Sequence, residues 1–290
     1  MMLFCPSGIG ISEKTDFVTD AENRDIYYRD PALFGKQAHV DRFVDDIACT
    51  FGVSRSALGV TAAAKGLIAG AVNFCRRDGS SLDAAADHEG ALVPSLRDVL
   101  SADMALVKWI LVIEKEATFR SIAASPFWDT VKSCGILITA KGYPDIATRA
   151  MLRFLCTPSL QNSFCAPPVF ALVDYDPDGL AIYSTYKHGS IGLAHESANL
   201  NLPQLQWLGL RSAHIMSDDD DSHASQGLLI LRDRDRKRAR SMLAWDTLAA
   251  EVEIRRELQT MLMLNVKAEL QILDGLPGGM GGLLEKGLPS

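Results

Sequence analysis

Three aspartates alternate in "FALVDYDPDGLAIYSTY", residues 170–186: Asp174, Asp176 and Asp178, followed by Gly179. A further acid, Glu114, ends the apolar run "KWILVIE". Carboxylates so arranged can hold a hard cation through their oxygens or attack phosphorus themselves. An EF-hand calcium loop needs a helix before it and a bidentate Glu at its twelfth position. Counted from Asp174 that position is Thr185, the flank "FALV" reads as a strand, and Pro177 interrupts the loop. A phosphatase with an aspartate nucleophile also places D-x-D after a strand, but on the first strand of its domain. What remains is a carboxylate site of Glu114, Asp174 and Asp176. Hard oxygen ligands with room for water suit magnesium. Three neighbouring acids repel, so they ionise together only with a cation nearby. Helix capping accounts for Asp176 or Asp178 without any chemistry, but not for a Glu at the end of so apolar a strand.

These acids need a scaffold, and its segments are visible. "MALVKWILVIE", "GILITAKG" (Gly135 to Gly142) and "VFALVD" read as buried strands. Helical stretches follow them, near Lys115, over Pro144–Leu155 and over Asp178–Lys187. Strand and helix alternating three times predict a parallel sheet with crossover helices, whose ligands sit beyond the carboxyl ends of the strands. Glu114 and Asp174 both fall there. Upstream, Val40, Phe43, Val44 and Ile47 recur at helical spacing, Gly52 can end that helix, and Ser54 can cap another. "KGLIAGAVNFCRRDGSSLDA" then reads as strands around a turn at Asp78-Gly79. Helices followed by a hairpin predict a winged helix. "AAADHEGALVPS" reads as a linker, "SDDDDS" (Ser217 to Ser222) as a solvated loop, "RDRDRKRAR" as the opening of a helix, and Trp245–Leu273 as helical. The glycine-rich end reads as flexible.

The 290 residues suffice for one large domain or two ordinary ones, and 48% hydrophobic content supplies a sizeable core. Six scattered cysteines, none in a C-x-x-C pair, argue against zinc and against a disulfide framework. The start lacks a basic region followed by a long apolar run, and no window reaches 18 uninterrupted apolar residues. The expectation is a soluble intracellular protein with no membrane span. A net charge of −7 argues against bulk attraction to nucleic acid. Yet Ile47–Arg77 carries no acid and holds Arg55, Lys65, Arg76 and Arg77, a local basic strip able to face phosphates.

"WILVIEKEATF", "GILITAKGYPDIATRAMLRFL" and "FALVDYDPDGLAIYSTYKHGS" resemble the Toprim domain of the topoisomerase VI A-subunit family, above all its eukaryotic branch, the meiotic transesterase that makes programmed double-strand breaks. "RDIYYRDPALFGKQAHVDRFVDDIACTFGVSRSALGVTAAAKGLIAG" is similar to its winged-helix segment, and "LQWLGL" and "NVKAELQIL" to its C-terminal part. The resemblance implies that Tyr28, the second tyrosine of "RDIYY", attacks DNA. Arg24 shares a helical face with Tyr28 and would stabilise its phenolate or the phosphate. A phenol with a pKa of about 10 is only ~0.1% ionised near neutral pH, so such an attack needs help. The resemblance further implies Mg2+ at Glu114, Asp174 and Asp176, and double-stranded DNA along Arg55, Lys65, Arg76 and Arg77. It also implies a homodimer in which Tyr28 of one copy works with the acids of the other, a topoisomerase VI B-type partner with accessory meiotic recombination proteins, and residence in the nucleus. Without the resemblance, Tyr27 and Tyr28 read as an aromatic pair packing a small domain.

The expected organisation is a winged-helix, tyrosine-bearing domain over 1–83, a linker over 84–100, a Toprim domain with C-terminal helices over 101–275, and a flexible tail over 276–290. Only 27 residues precede Tyr28, a short lead for this family, and Asp218–Asp221 sit in an apparent insertion. The alternatives are an inactive DNA-binding scaffold of the same complex and a Toprim nuclease that hydrolyses DNA with water.

Overall fold

A computed structural model describes residues 21–53, 55–61, 64–87, 89–189, 200–215, 227–275 and 278–289. The side chains of Arg24 and Arg55, together with Ser54 and the Asp218–Asp221 segment, lie outside the described residues. The chain divides into two compact units, Met1–Ala63 and Ala64–Ser290.

In the first unit, strands β1 (Ala21–Glu22) and β2 (Val60–Thr61) pair in parallel. Helices α1 (Asn23–Arg29), α2 (Pro31–Phe34) and α3 (Gln37–Phe51) lie between them. The Asp30 side chain accepts from the Leu33 N–H at 3.0 Å and starts α2. Helix α3 buries Val40, Val44 and Ala48, spaced four apart on one face, whereas Phe43 stays exposed. It ends where Gly52 takes the left-handed conformation (φ 63°) that glycine enters without a Cβ clash.

The second unit is built on a six-stranded sheet. Its strands are β3 (Leu67–Gly70), β6 (Ala91–Leu92), β8 (Trp109–Ile113), β9 (Gly135–Thr139), β10 (Val169–Leu172) and β11 (Gln206–Gly209). The spatial order is β11-β10-β8-β9-β3-β6. Strands β11, β10, β8 and β9 run parallel, while β3 is antiparallel to β9 and β6 to β3. Every residue of β8, β9 and β10 is buried, which is why these strands read as unbroken apolar runs. Helices α4 (Glu116–Ala123) and α5 (Pro126–Val131) connect β8 to β9, α6 (Ile146–Cys156) connects β9 to β10, and α7 (Pro177–His188) follows β10. Gly135 lies opposite Trp109 in the β8–β9 register, and a Cβ there would sit 2.4 Å from the indole ring, so only glycine fits.

Four expectations change. The hairpin exists, as β4 (Asn73–Arg76) and β5 (Ser81–Asp83), but it joins β7 (Val99–Asp103) in an antiparallel sheet of the second unit. Strand β3 beside it belongs to the main sheet. The described residues of the first unit contain no hairpin of their own, and the unit boundary lies at 63/64 rather than 83/84. The stretch 84–100 is no linker: Ala84, Val93 and Val99 are buried, and the Val93 N–H donates to the Gly66 carbonyl. The tail is no loose end either, since Gly279–Gly287 forms a helix that buries Leu284. Within Trp245–Leu273, a helix (Val252–Leu264) gives way to strand β13 (Val266–Ala268), which pairs antiparallel with β12 (Leu228–Ile230). The "RDRDRKRAR" stretch does open a helix, Asp233–Leu243.

Candidate active site

Strands β8 and β10 are neighbours, with Ile113 opposite Leu172, so the residues just past their carboxyl ends meet. Glu114 and Asp174 are buried there, at 8% and 3% exposure. Tyr175 turns the other way, into the core, where its hydroxyl donates to Glu257 at 3.0 Å and its backbone pairs with Ala268. That alternation returns Asp176 to the side of Asp174. Asp176 then caps α7, accepting from the Gly179 N–H at 2.7 Å. Gly179 is required by close approach: a Cβ would lie 2.5 Å from the Asp174 carbonyl oxygen and 3.0 Å from Glu114 Oε2.

The three acids share a pattern. Glu114 Oε2 accepts from the Asp174 N–H at 2.9 Å, Asp174 Oδ1 from the Leu270 N–H at 3.0 Å, and Asp176 Oδ1 from the Gly179 N–H at 2.7 Å. Each carboxylate is thus pinned to the main chain by one oxygen, and among the described residues its second oxygen receives no main-chain donor. Burial, then the charges of Asp174 and Asp176, push the Glu114 carboxyl up to about 8. Burial likewise raises Asp176, with the Asp174 charge adding to it. Lysines offset part of this charge: Lys115 Nζ lies 2.7 Å from Asp174 Oδ2 and 3.1 Å from Glu269 Oε2, and Lys267 Nζ lies 4.0 Å from Asp176 Oδ2 and 2.9 Å from Asp235 Oδ2.

Among the described residues no group of three acidic, histidine or cysteine side chains is disposed to hold a metal ion as it stands. The donor set nevertheless suits a hard divalent cation: three adjacent carboxylates, each with an oxygen unclaimed by the backbone, two of them pushed toward the neutral form. Asp178 is not part of this set. It accepts from the Tyr143 hydroxyl at 3.1 Å, and Arg234 and Arg238 approach it at 3.6 and 3.8 Å.

A sequence model for the Toprim domain of the topoisomerase 6 A-subunit and Spo11 proteins matches residues 109–277, which include all three acids and the strands that carry them. The chain belongs to the topoisomerase 6 A-subunit/Spo11 family. A second model, "Type IIB DNA topoisomerase", matches residues 18–60. Over 257 residues the chain is 35% identical to the human meiotic recombination protein SPO11, covering 88% of this chain and 62% of that protein. It is 36% identical over 261 residues to the fission yeast meiotic recombination protein rec12, covering 90% and 70%. To the A3 subunit of DNA topoisomerase 6 from indica rice it is 37% identical over 267 residues, covering 92% and 57%. The chain therefore spans about three fifths of the human and rice relatives' length.

In this family frame the other expected site residues are distributed as follows. Tyr28 lies on α1 in the first unit, 69% exposed, with its ring edge-on to Tyr27 at 5.3 Å between centroids. The four basic residues do not come from one element. Arg55 belongs to the first unit and the rest to the second. Lys65 donates to the Tyr143 carbonyl at 3.0 Å, and Arg77 donates to the Arg97 carbonyl at 2.8 Å. Arg76 and Arg77 line a small cavity of about 290 Å³ with Asp78 and Asp98, so their charge is partly matched. A cavity of about 920 Å³ opens along β11, and none of the three acids lines it.

Sequence reasoning missed Lys115, Lys267 and Glu269. The lysine directly after Glu114 was visible, and Lys267 and Glu269 fall in "NVKAEL", a segment already assigned to the family's C-terminal part. No described helix is long and apolar enough to cross a membrane.

Proposed function

We propose that this chain is the DNA-cleaving A-type subunit of a transesterase that makes the double-strand breaks initiating meiotic recombination in the nucleus, with Tyr28 as the nucleophile. The observation that carries this reading is the trio Glu114, Asp174 and Asp176 beyond neighbouring parallel strands, each held by one oxygen to the main chain. It is supported by the exposure of Tyr28 on a helix inside the segment similar to type IIB DNA topoisomerases.

The Tyr28 phenolic oxygen bonds to a phosphodiester phosphorus as the bond to the 3′ oxygen breaks. The phenol gives up its proton and the 3′ oxygen gains one, leaving a 5′-phosphotyrosyl link and a free 3′ hydroxyl. One ester replaces another, so this chain hydrolyses no nucleotide. Arg24, one helical turn from Tyr28, would stabilise the developing charge. Glu114, Asp174 and Asp176 would hold magnesium, whose charge favours the oxyanions of phosphoryl transfer. Lys65, Arg76 and Arg77, with Arg55, would contact double-stranded DNA. Two copies would act together, Tyr28 of one beside the acids of the other, so that both strands are cut. A B-type topoisomerase VI partner, with accessory meiotic recombination proteins, would complete the complex.

The test is a denaturing assay for protein covalently attached to a DNA duplex in magnesium. The wild-type chain with its partners is expected to form the adduct. Tyr28→Phe is expected to abolish it while duplex binding stays within about twofold. An adduct that survives in Tyr28→Phe refutes the assignment. Cut DNA with protein-free ends would instead mean hydrolysis by water, and DNA binding without any cutting would mean a scaffold role.

A further inference from the structure

Lys115 leads directly from Glu114 into α4, where it is the N-cap residue. Its ammonium lies 2.7 Å from Asp174 Oδ2, the one oxygen of that carboxylate not bonded to the main chain. It also reaches Glu269 Oε2 at 3.1 Å, on a side chain 54% exposed, while the Asp174 side chain is only 4% exposed. We infer that Lys115 is a tethered counter-cation that occupies Asp174 until a divalent cation takes its place, with Glu269 as the partner to which it withdraws. The inference rests on the metal reading proposed above and adds how the site is held before a cation arrives.

Three observations carry it. First, an ammonium 2.7 Å from Asp174 Oδ2 opposes a second cation at that oxygen, because two like charges would then lie side by side. Second, a buried carboxylate without a compensating charge is costly, so an acid trio needs an occupant when no metal is bound. Lys115 is the residue in contact with the most buried of the three. Third, Glu269 gives the lysine a second partner at hydrogen-bond distance, so leaving Asp174 does not strand its charge. The exchange consumes no bond other than the Lys115–Asp174 ion pair. Lys115 therefore sets how much divalent cation is needed to load the site, and Glu269 lowers that threshold by holding the displaced ammonium.

Calorimetric titration of the full chain with MgCl2 tests this without reference to catalysis. Lys115→Met removes the competitor and is expected to bind magnesium about tenfold tighter, the factor represented by roughly 1.4 kcal/mol. Glu269→Gln removes the alternative partner from an exposed position and is expected to bind about threefold or more weaker. Lys115→Arg, which keeps the charge, is expected to stay within about twofold of wild type. The opposite directions of the first two variants are the signature, and the Glu269→Gln arm stands by itself if Lys115→Met fails to fold. Saturable binding by the wild type with unchanged affinity in both variants, or tighter binding by Glu269→Gln, overturns the tethered counter-cation while leaving the metal reading intact. Absence of saturable binding by the wild type overturns both.

Discussion

Replacing Glu114 with glutamine separates the charge of the site from its shape. Glu114 is 8% exposed, and burial, then Asp174 and Asp176, push its carboxyl up to about 8. In an unfolded chain a glutamate titrates near about 4.3. The folded state therefore holds the proton more tightly than the unfolded state. The stability this group contributes is fully present below about pH 4.3 and is lost as the pH rises through about 8. At about 1.4 kcal/mol per unit, the loss across that window is at most about 5 kcal/mol. Glutamine removes the titration and keeps the anchor, since an amide oxygen can still accept from the Asp174 N–H.

The assay is urea unfolding of both proteins in a chelator at pH 5, 7 and 8. The variant is expected to gain on the wild type by about 1.4 kcal/mol per pH unit, or roughly 3 kcal/mol between pH 5 and 7. For a unit of this size that is about 6–12 °C in melting temperature. Titrations far from the acid trio are common to both proteins and cancel in the difference. A gap constant to within about 0.5 kcal/mol from pH 5 to 8 would refute the claim that Glu114 carries an ionisation penalty. Repeating the series in magnesium should narrow the gap, because a bound cation favours the ionised carboxylate.

Gly179→Ala would push a methyl to 2.5 Å from the Asp174 carbonyl and 3.0 Å from Glu114 Oε2, so the start of α7 must shift. The expected cost is about 1–3 kcal/mol in urea unfolding, together with weaker magnesium binding by calorimetry. Leu284→Ala, in the helix Gly279–Gly287, removes a side chain only 1% exposed and should cost about 2–5 kcal/mol by the same unfolding measurement. No change in stability would mean that the chain end behaves as the loose tail its glycines suggest.

The parallel sheet was legible because strands buried on both faces have no polar positions to break the pattern: "WILVI", "GILIT" and "VFAL" could be little else. The partner of Leu67–Gly70 was not legible. Periodicity shows that a segment is a strand, not which strand it joins, and β3 bypasses its nearest hairpin to pair with β9 some 70 residues on. Residues 84–100 misled through composition, since small residues and turn formers look like a linker even where Ala84 and Val93 are buried. At the site, Glu114 announced itself because an acid ending so apolar a strand has no cheap structural explanation, and the D-x-D of Asp174 and Asp176 followed a second such strand. Glu269 did not, because an exposed glutamate that meets Lys115 across 154 residues of sequence leaves no local trace.

The way the acids are anchored bears on how variants of the site should be read. A carboxylate held by a neighbour's side chain is lost or moved when that neighbour is mutated. Here the anchors are the N–H groups of Asp174, Leu270 and Gly179, which no substitution other than proline deletes. Asp174→Asn would keep the Glu114 anchor, because that bond comes from the backbone of residue 174 and not from its carboxylate. Loss of one acid should therefore leave the other two in place, and a defect in a single-acid variant reports the missing charge rather than a collapsed site. The exception follows from the same geometry. Gly179 both donates to Asp176 and leaves the space that Glu114 and the Asp174 carbonyl fill, so a change of backbone shape at this position displaces all three acids together. The site's sensitivity is concentrated in a residue with no functional group, because what the acids need from that position is an exposed N–H and the absence of a Cβ.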